Sequence, residues 1–284
     1  MNIAVTGASG FLGRHVVAAF HQRGISPTLV SGPGNPSSPA KPVKNPTSML
    51  SLNILDDEPG VYERLGRPDV LVHLAWGGLP NFQSPHHIQD EMPAHFRFLK
   101  KMIDGGLEHL IVSGSCLEYG LQNGALSEAM RARPAVAYAR AKNQLRELLD
   151  QHPRKKLFRM HWLRIFYIFG EGQSPTSLLP QLQLAVARGD PAFKMSQGKQ
   201  IRDFHPVTTA ANEIVSVSLS EHRSDIINIC SGKPISVLNF VESLLIKNKW
   251  KIGLQLGDFQ QPSYEPEGFW GLRRKLDTIL GGAR

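Results

Sequence analysis

Two kinds of stretch alternate along the chain. Short apolar runs appear at Ile3-Ala4-Val5, Pro27 to Ser31, Met49 to Leu52, Asp69 to Ala75, His109 to Ser113, Phe158 to Phe169 and Ile226 to Ile229. Runs of this length, apolar throughout, predict strands covered on both faces, as in a parallel sheet. Between them apolar residues recur every three or four positions, at Phe11 to Arg23, Ile88 to Gly106 and Pro134 to Asp150. That spacing predicts amphipathic helices, the first ending at Gly24. Strands alternating with helices predict an α/β fold built on a doubly wound parallel sheet. After Phe169 the alternation loosens, with a further strand at Gln200 to Phe204 and helices from near Thr208 and from Ser236 to Asn248.

The first strand runs directly into Thr6-Gly7-Ala8-Ser9-Gly10-Phe11-Leu12-Gly13. At a strand-to-helix turn this spacing has a mechanism. Gly7 permits the tight turn, Gly10 lets a pyrophosphate approach the backbone, and Gly13 lets the helix sit close to the strand. The free amides and positive dipole of the helix start then favour phosphate. A Rossmann-type dinucleotide site is expected, and residues 1–163 form its domain. Residues 164–284 form a smaller C-terminal α/β substrate-binding region, interleaved with the first. NAD sites usually place an acid at the end of the second strand, but Ser31 and Gly32 stand there. Arg14 follows the glycine motif, and Lys41 and Lys44 lie in a proline-punctuated loop from Pro33 to Pro46. That set favours a 2′-phosphate, hence NADP, with NAD as the alternative. Asn53, followed by Ile54, could bond the adenine amine.

Ligands in open α/β sheets sit at the carboxyl ends of strands. Leu74-Ala75-Trp76-Gly77-Gly78 ends the fourth strand, and Ser113-Gly114-Ser115-Cys116-Leu117-Glu118-Tyr119-Gly120 ends the fifth. His73 reads as a core histidine. His86 and His87 read as loop residues without acids at ligand spacing, so no metal site is expected. The following helix carries Tyr138-Ala139-Arg140-Ala141-Lys142. Four residues is just over one turn, so phenol and ammonium share a face. A nearby cation lowers a phenol's pKa from ~10 and suits it to proton transfer with a carbonyl or alcohol.

The charge pattern narrows the alternatives. Lys plus Arg is 32 against 24 Asp plus Glu, a formal +8 that is not gathered into a block. Its densest patch, His152 to Lys156, reads as surface. No basic recognition helix or zinc-finger spacing points to nucleic acid. Cys116 and Cys230 are isolated, giving neither a disulfide framework nor a metal site. No run approaches the ~20 apolar residues of a membrane span, and the start lacks a signal peptide's pattern. A soluble cytoplasmic protein is expected.

Taken together, these segments resemble the extended short-chain dehydrogenase/reductase family, in its NAD(P)-dependent nucleotide-sugar epimerase, dehydratase and reductase branch. Thr6 to Gly13 is similar to the family glycine motif, and Ser113 to Gly120 to its serine segment. Arg164-Ile165-Phe166-Tyr167-Ile168-Phe169-Gly170 resembles the segment passing nicotinamide, and Arg202-Asp203-Phe204 an Arg-Asp-aromatic motif whose Arg binds a diphosphate. The resemblance implies Ser115, Tyr138 and Lys142 as the catalytic set. It implies cofactor contacts along Gly7, Ser9, Gly10, Phe11, Leu12, Gly13 and Arg14, and at Asn53, Ile54, Leu74, Ala75, Trp76, Ser113 and Ile165. Substrate contacts would come from Glu118, Tyr167 and Arg202. A homodimer and a nucleotide-diphosphate sugar substrate are implied. The family's paired Asp is Thr208-Thr209 here, and its Asn is replaced by Tyr167. The Asp-Glu pair that 4,6-dehydratases place after the catalytic Thr is Cys116-Leu117. The expected activity is NAD(P)H-dependent reduction of a 4-keto-6-deoxy sugar nucleotide in deoxysugar biosynthesis. The alternatives are a 4-epimerase with tightly bound NAD and a dinucleotide-sensing regulatory protein.

Overall fold

The computed structural model describes residues 1–32, 48–153, 158–260 and 264–281. The proline-punctuated loop with Lys41 and Lys44, and Arg154 to Lys156 of the basic patch, lie outside the described residues. Seven strands form one parallel sheet. Across it they run Asp225–Ile229, Arg159–Ile165, His109–Ser115, Val70–His73, Ile3–Thr6, Thr28–Ser31 and Met49–Ser51. The order reverses beside Ile3–Thr6, where a crevice opens at the carboxyl ends of that strand and Val70–His73. The apolar runs are buried because both faces of the sheet are covered. On one face Phe11–Gln22, Val207–Leu219 and Arg274–Gly281 enclose Val5, Val16, Phe20, Ile214 and Ile227. On the other, Met92–Gly105 and Ala137–Gln151 enclose Leu71, Leu99, Leu110, Leu145 and Trp162.

Several boundaries shift for identifiable reasons. The helix expected from Ile88 starts with a π-helical turn, His87–Glu91, and becomes α-helical at Met92. Pro93 has no backbone N–H to give, and its ring disfavours the ordinary register just before it. The helix expected from Pro134 begins at Ala137, because Val136 is still extended (φ −107°, ψ 156°). The edge strand Asp225–Ile229 and the helices Val207–Leu219 and Arg274–Gly281 all come from beyond residue 164. A cut at 163/164 therefore does not separate two compact bodies. The smaller lobe packs Leu182, Phe193, Phe240 and Val241 around its own core. It carries the three-stranded sheet of Tyr167–Phe169, Ile201–Pro206 and Pro234–Ser236.

At the crevice the backbones come unusually close. Gly7 has φ +68°, and a Cβ there would meet the Ala75 amide at 2.7 Å. A Cβ on Gly13 would run into the Gly7 carbonyl. Gly13→Ala should therefore push the first helix off the strand at a cost of about 1–3 kcal/mol. A fall in the urea midpoint at unchanged slope would show it, whereas wild-type stability would mean that the helix has room to move.

Candidate active site

Three cavities lie along the carboxyl ends of the strands. The first, about 260 Å³, is bounded by Gly7, Ser31, Gly32, Asn53, Ile54, Ala75, Trp76, Glu91 and His95. The second, about 400 Å³, brings together Phe11, Leu12, Leu74, Trp76, Ser113, Ser115, Tyr138, Lys142 and Ile165. The third, about 490 Å³, lies in the smaller lobe and is lined by Arg202, Lys194, Phe193 and Phe240 among others. Trp76 forms a wall common to the first and second. Tyr167, Ile168 and Glu265 are common to the second and third. Through these shared walls the three compartments adjoin in a row.

In the second cavity Ser115 closes its strand in extended conformation, and its hydroxyl accepts the Leu117 amide at 3.2 Å. Tyr138 and Lys142 project from one face of Ala137–Gln151, where both are buried. Tyr138 Oη also interacts with the Ser115 hydroxyl, which favours ionisation. Burial outweighs this and raises the phenol's pKa, with the charge of Glu118 adding to the rise. The expected lowering of the Tyr138 pKa is thus outweighed by burial. Lys142 Nζ lies 5.9 Å from the Tyr138 ring centre and 3.8 Å from the Trp76 ring centre. Among the described residues it has no hydrogen-bond partner. Burial brings Lys142 down to about 7, against the opposing pull of Glu118 and Glu91.

Behind Trp76 runs a buried polar line. Glu91 Oε2 accepts both the Gly77 amide at 2.8 Å and His95 Nε2–H at 3.0 Å. A neutral His95 with its proton on Nε2 must accept at Nδ1, here from His73 Nε2–H at 2.7 Å. His73 Nδ1 in turn accepts the Thr6 hydroxyl at 2.8 Å. Burial lowers both histidines' pKa and keeps them neutral, with the Lys142 charge adding to the effect. Burial alone would raise Glu91, but His95, the Gly77 amide and His86 prevail and lower it to about 2. His86 bonds Asp90 at 2.8 Å and Glu91 at 3.0 Å. It therefore sits between two carboxylates that fix its ring. The i,i+4 spacings of His86–Asp90 and Glu91–His95 were visible in the sequence. The cavity that Glu91 and His95 border was not.

Two expected contacts are corrected. Glu118 is fully buried outside the substrate compartments. Its carboxylate accepts the Ser115 amide at 2.8 Å, Trp162 Nε1 at 2.9 Å and Arg164 Nε at 3.1 Å. Polar demand from two neighbouring strands draws it inward. Arg14 does not reach the cavity that Ser31, Gly32 and Asn53 form. Its guanidinium bonds the Ser9 and Gly10 carbonyls at 3.4 Å each and packs on the Gly172 turn. Asn53 is partly engaged locally, with the Leu55 amide and Asp56. Among the described residues no Lys or Arg lines that first cavity. Arg202 is buried, with Nη2 on Glu265 at 2.7 Å, between the rings of Tyr167 and Phe269. Tyr167 is half-buried beside them, and desolvation of its hydroxyl raises the phenol's pKa. Glu265, from a stretch without recognisable pattern, was not anticipated.

A family model for the NAD dependent epimerase/dehydratase family matches residues 3–230. The chain is 28% identical to the dTDP-6-deoxy-L-talose 4-dehydrogenase (NAD(+)) of Aggregatibacter actinomycetemcomitans, over 96% of this chain and all of that protein. It is 24% identical to the GDP-6-deoxy-D-talose 4-dehydrogenase of the same organism, over 86% of this chain and 79% of the other. Among solved structures, a UDP-glucose-4-epimerase from Stenotrophomonas maltophila with bound NAD superposes with a TM-score of 0.87 at 19% identity. That match covers 99% of this chain and 92% of the other.

The Glu118 correction is open to measurement. Glu118→Ala leaves Arg164 buried without its partner and should lower the unfolding free energy by about 3–5 kcal/mol in urea denaturation. A variant of wild-type stability whose only defect is weak substrate binding would return Glu118 to the substrate wall.

Proposed function

Because the chain belongs to the NAD-dependent epimerase/dehydratase family, we propose that it catalyses NAD(H)-dependent redox chemistry at C4 of a 6-deoxy sugar nucleotide, in the direction of 4-keto reduction. It is an oxidoreductase-type enzyme of the extended short-chain dehydrogenase/reductase class, with a Rossmann fold. The observation that carries the reading is that Ser115, Tyr138 and Lys142 share one cavity, joined through Tyr167 and Glu265 to the cavity of Arg202. Full-length similarity to a dTDP-6-deoxy-L-talose 4-dehydrogenase supports the sugar class.

The residues present fit a dinucleotide. The Gly7–Gly13 cradle leaves no space for side chains at its closest approaches, and Lys142, in the cavity that Phe11 and Leu12 also line, has a buried ammonium with no hydrogen-bond partner among the described residues. Gly7, Gly10 and the following helix start would hold the pyrophosphate, Asn53 and Ile54 the adenine, and Lys142 the nicotinamide ribose. Bound there, the cofactor supplies or accepts the hydride. The chain's own residues handle the proton and the orientation. The Ser115 hydroxyl would donate to the keto oxygen. Tyr138, kept neutral by burial, would give that oxygen its proton, and the Lys142 ammonium would stabilise the phenolate left behind. Arg202 would hold the diphosphate away from the reacting carbon, so that remote binding positions the sugar.

The expected preference for NADP gives way to NAD in this proposal. Arg14 is turned toward its own helix start, Lys41 and Lys44 lie outside the described residues, and the first cavity's ionisable lining is Glu91 and His95. A carboxylate there disfavours a further phosphate. Epimerisation by the same residues would return the cofactor to its starting state, so stoichiometric consumption separates the two activities.

With a panel of 4-keto-6-deoxy sugar nucleotides, NADH should be consumed in proportion to product. Tyr138→Phe should slow turnover by ~10²-fold or more while retaining cofactor affinity. Near-wild-type turnover would remove Tyr138 from the reaction. Separately, NADH should be preferred to NADPH, and Arg14→Ala should weaken both alike. A selective loss of NADPH in that variant would restore Arg14 as a phosphate ligand.

A further inference from the structure

The Trp76 indole is held from three directions. His95 stacks on it with ring centres 4.6 Å apart and planes inclined by 21°. The indole N–H donates to His87 Nδ1 at 3.2 Å, and His87 Nε2–H donates to the Asn81 carbonyl at 2.8 Å. Tyr138 meets the ring edge-on at 6.0 Å. Glu91 fixes His95 in turn, so the indole plane is determined by a chain of bonds ending in a buried carboxylate. The ring offers its π-face to Lys142 Nζ, 3.8 Å from its centre. That ammonium has no hydrogen-bond acceptor among the described residues. The indole is thus its closest favourable neighbour in the free protein. A cation over an indole face is stabilised, and more so when water is excluded.

We propose that Trp76 is a positioning residue that holds the Lys142 ammonium over its ring until the ribose of the dinucleotide supplies hydrogen-bond acceptors. The proposal rests on the reading of Lys142 given above and adds the partner that keeps this group charged and in place beforehand. Its location suits an exchange. Trp76 belongs to the wall between the cavity of the glycine cradle and the cavity of Tyr138, and a dinucleotide must pass it to occupy both. The other charged or titratable groups around Lys142 are Glu118 in the 3-10 turn after His109–Ser115, Glu91 and His95 at the start of Met92–Gly105, His73 in Val70–His73, and Tyr138 one turn earlier. The two carboxylates favour the ammonium at longer range. The indole is in direct contact with it.

The sign follows from burial. Lys142 is charged below about 7 and neutral above, so cofactor-dependent turnover that needs the ammonium falls as pH rises through that region. Trp76→Leu keeps apolar cover but removes the π-face. The alkaline limb of kcat/KM should then move down by about one pH unit, and Trp76→Phe should recover part of the shift. An unmoved or upward-shifted limb in the Leu variant overturns the proposal. A second readout uses the free protein without cofactor, so it holds even if the Leu variant folds poorly. Wild-type minus Trp76→Phe emission isolates this indole, and it should titrate near neutral pH. In a Lys142→Met background that titration should vanish. If it persists there, Lys142 is not its source and the proposal fails. Lys142→Met also tests the underlying reading. Retained turnover in that variant removes Lys142 from the reaction, whereas lost turnover with an unmoved Trp76→Leu limb rejects only the role of Trp76.

Discussion

The architecture of the site depends on the buried carboxylate of Glu118. It sits where the strands His109–Ser115 and Arg159–Ile165 run side by side, and it answers three donors from them: the Ser115 amide, the Trp162 indole and the Arg164 guanidinium. Fixing the Ser115 backbone fixes the hydroxyl that faces Tyr138. The same charge reaches Tyr138 and Lys142, and for both it favours the protonated form. A proton donor and a cation are the states that reduction of a carbonyl requires of those two groups. One interior charge thus fixes geometry and biases protonation, beside the larger effect of burial. A buried ion pair of this kind adds little net stability but penalises any arrangement that separates its members.

Around that point the fold provides depth. The reversal of strand order opens a crevice between Ile3–Thr6 and Val70–His73, and the smaller lobe extends it with its own sheet and core. Glycines at the close approaches replace side-chain volume with backbone amides. The aromatic and acidic walls, Trp76 on one side and Tyr167 with Glu265 on the other, divide the crevice into compartments of different chemistry. The first combines glycines with Glu91 and His95, the second carries the hydroxyls and the amine, and the third carries arginine, lysine and aromatic rings.

The sheet was legible in the sequence because most of its strands are short, largely apolar runs without alternation, the signal that a strand covered on both faces leaves. The glycine cradle was legible because glycines at so strict a spacing, set at a strand-to-helix junction, serve little besides a close backbone approach. Tyr138 and Lys142 could be paired because four residues on a helix is a local relation. Long-range relations were not visible. Whether Glu118 faces substrate or two neighbouring strands depends on Trp162 and Arg164, more than forty positions away. Arg14 looked available for phosphate until the turn at Gly172 was seen beside it. The acidity of Tyr138 was misjudged for the same reason, since spacing reports neighbours on one helix but not the burial imposed by others. Glu265 and Glu91 lie in stretches with no motif and acquire meaning only from the cavities they border.

The edge strand Asp225–Ile229 has a consequence for biosynthesis. It covers the flank of Arg159–Ile165, yet it emerges from the ribosome some sixty residues later. Until then the nascent sheet ends in an open ladder of backbone donors and acceptors, able to pair with another chain as readily as with its own. The apolar face that Val207–Leu219 and Arg274–Gly281 later cover stays exposed over the same interval. Chains truncated near the middle should therefore be drawn into aggregates or held by chaperones, and the segments from beyond residue 164 that return to the large sheet are the clasp that completes it.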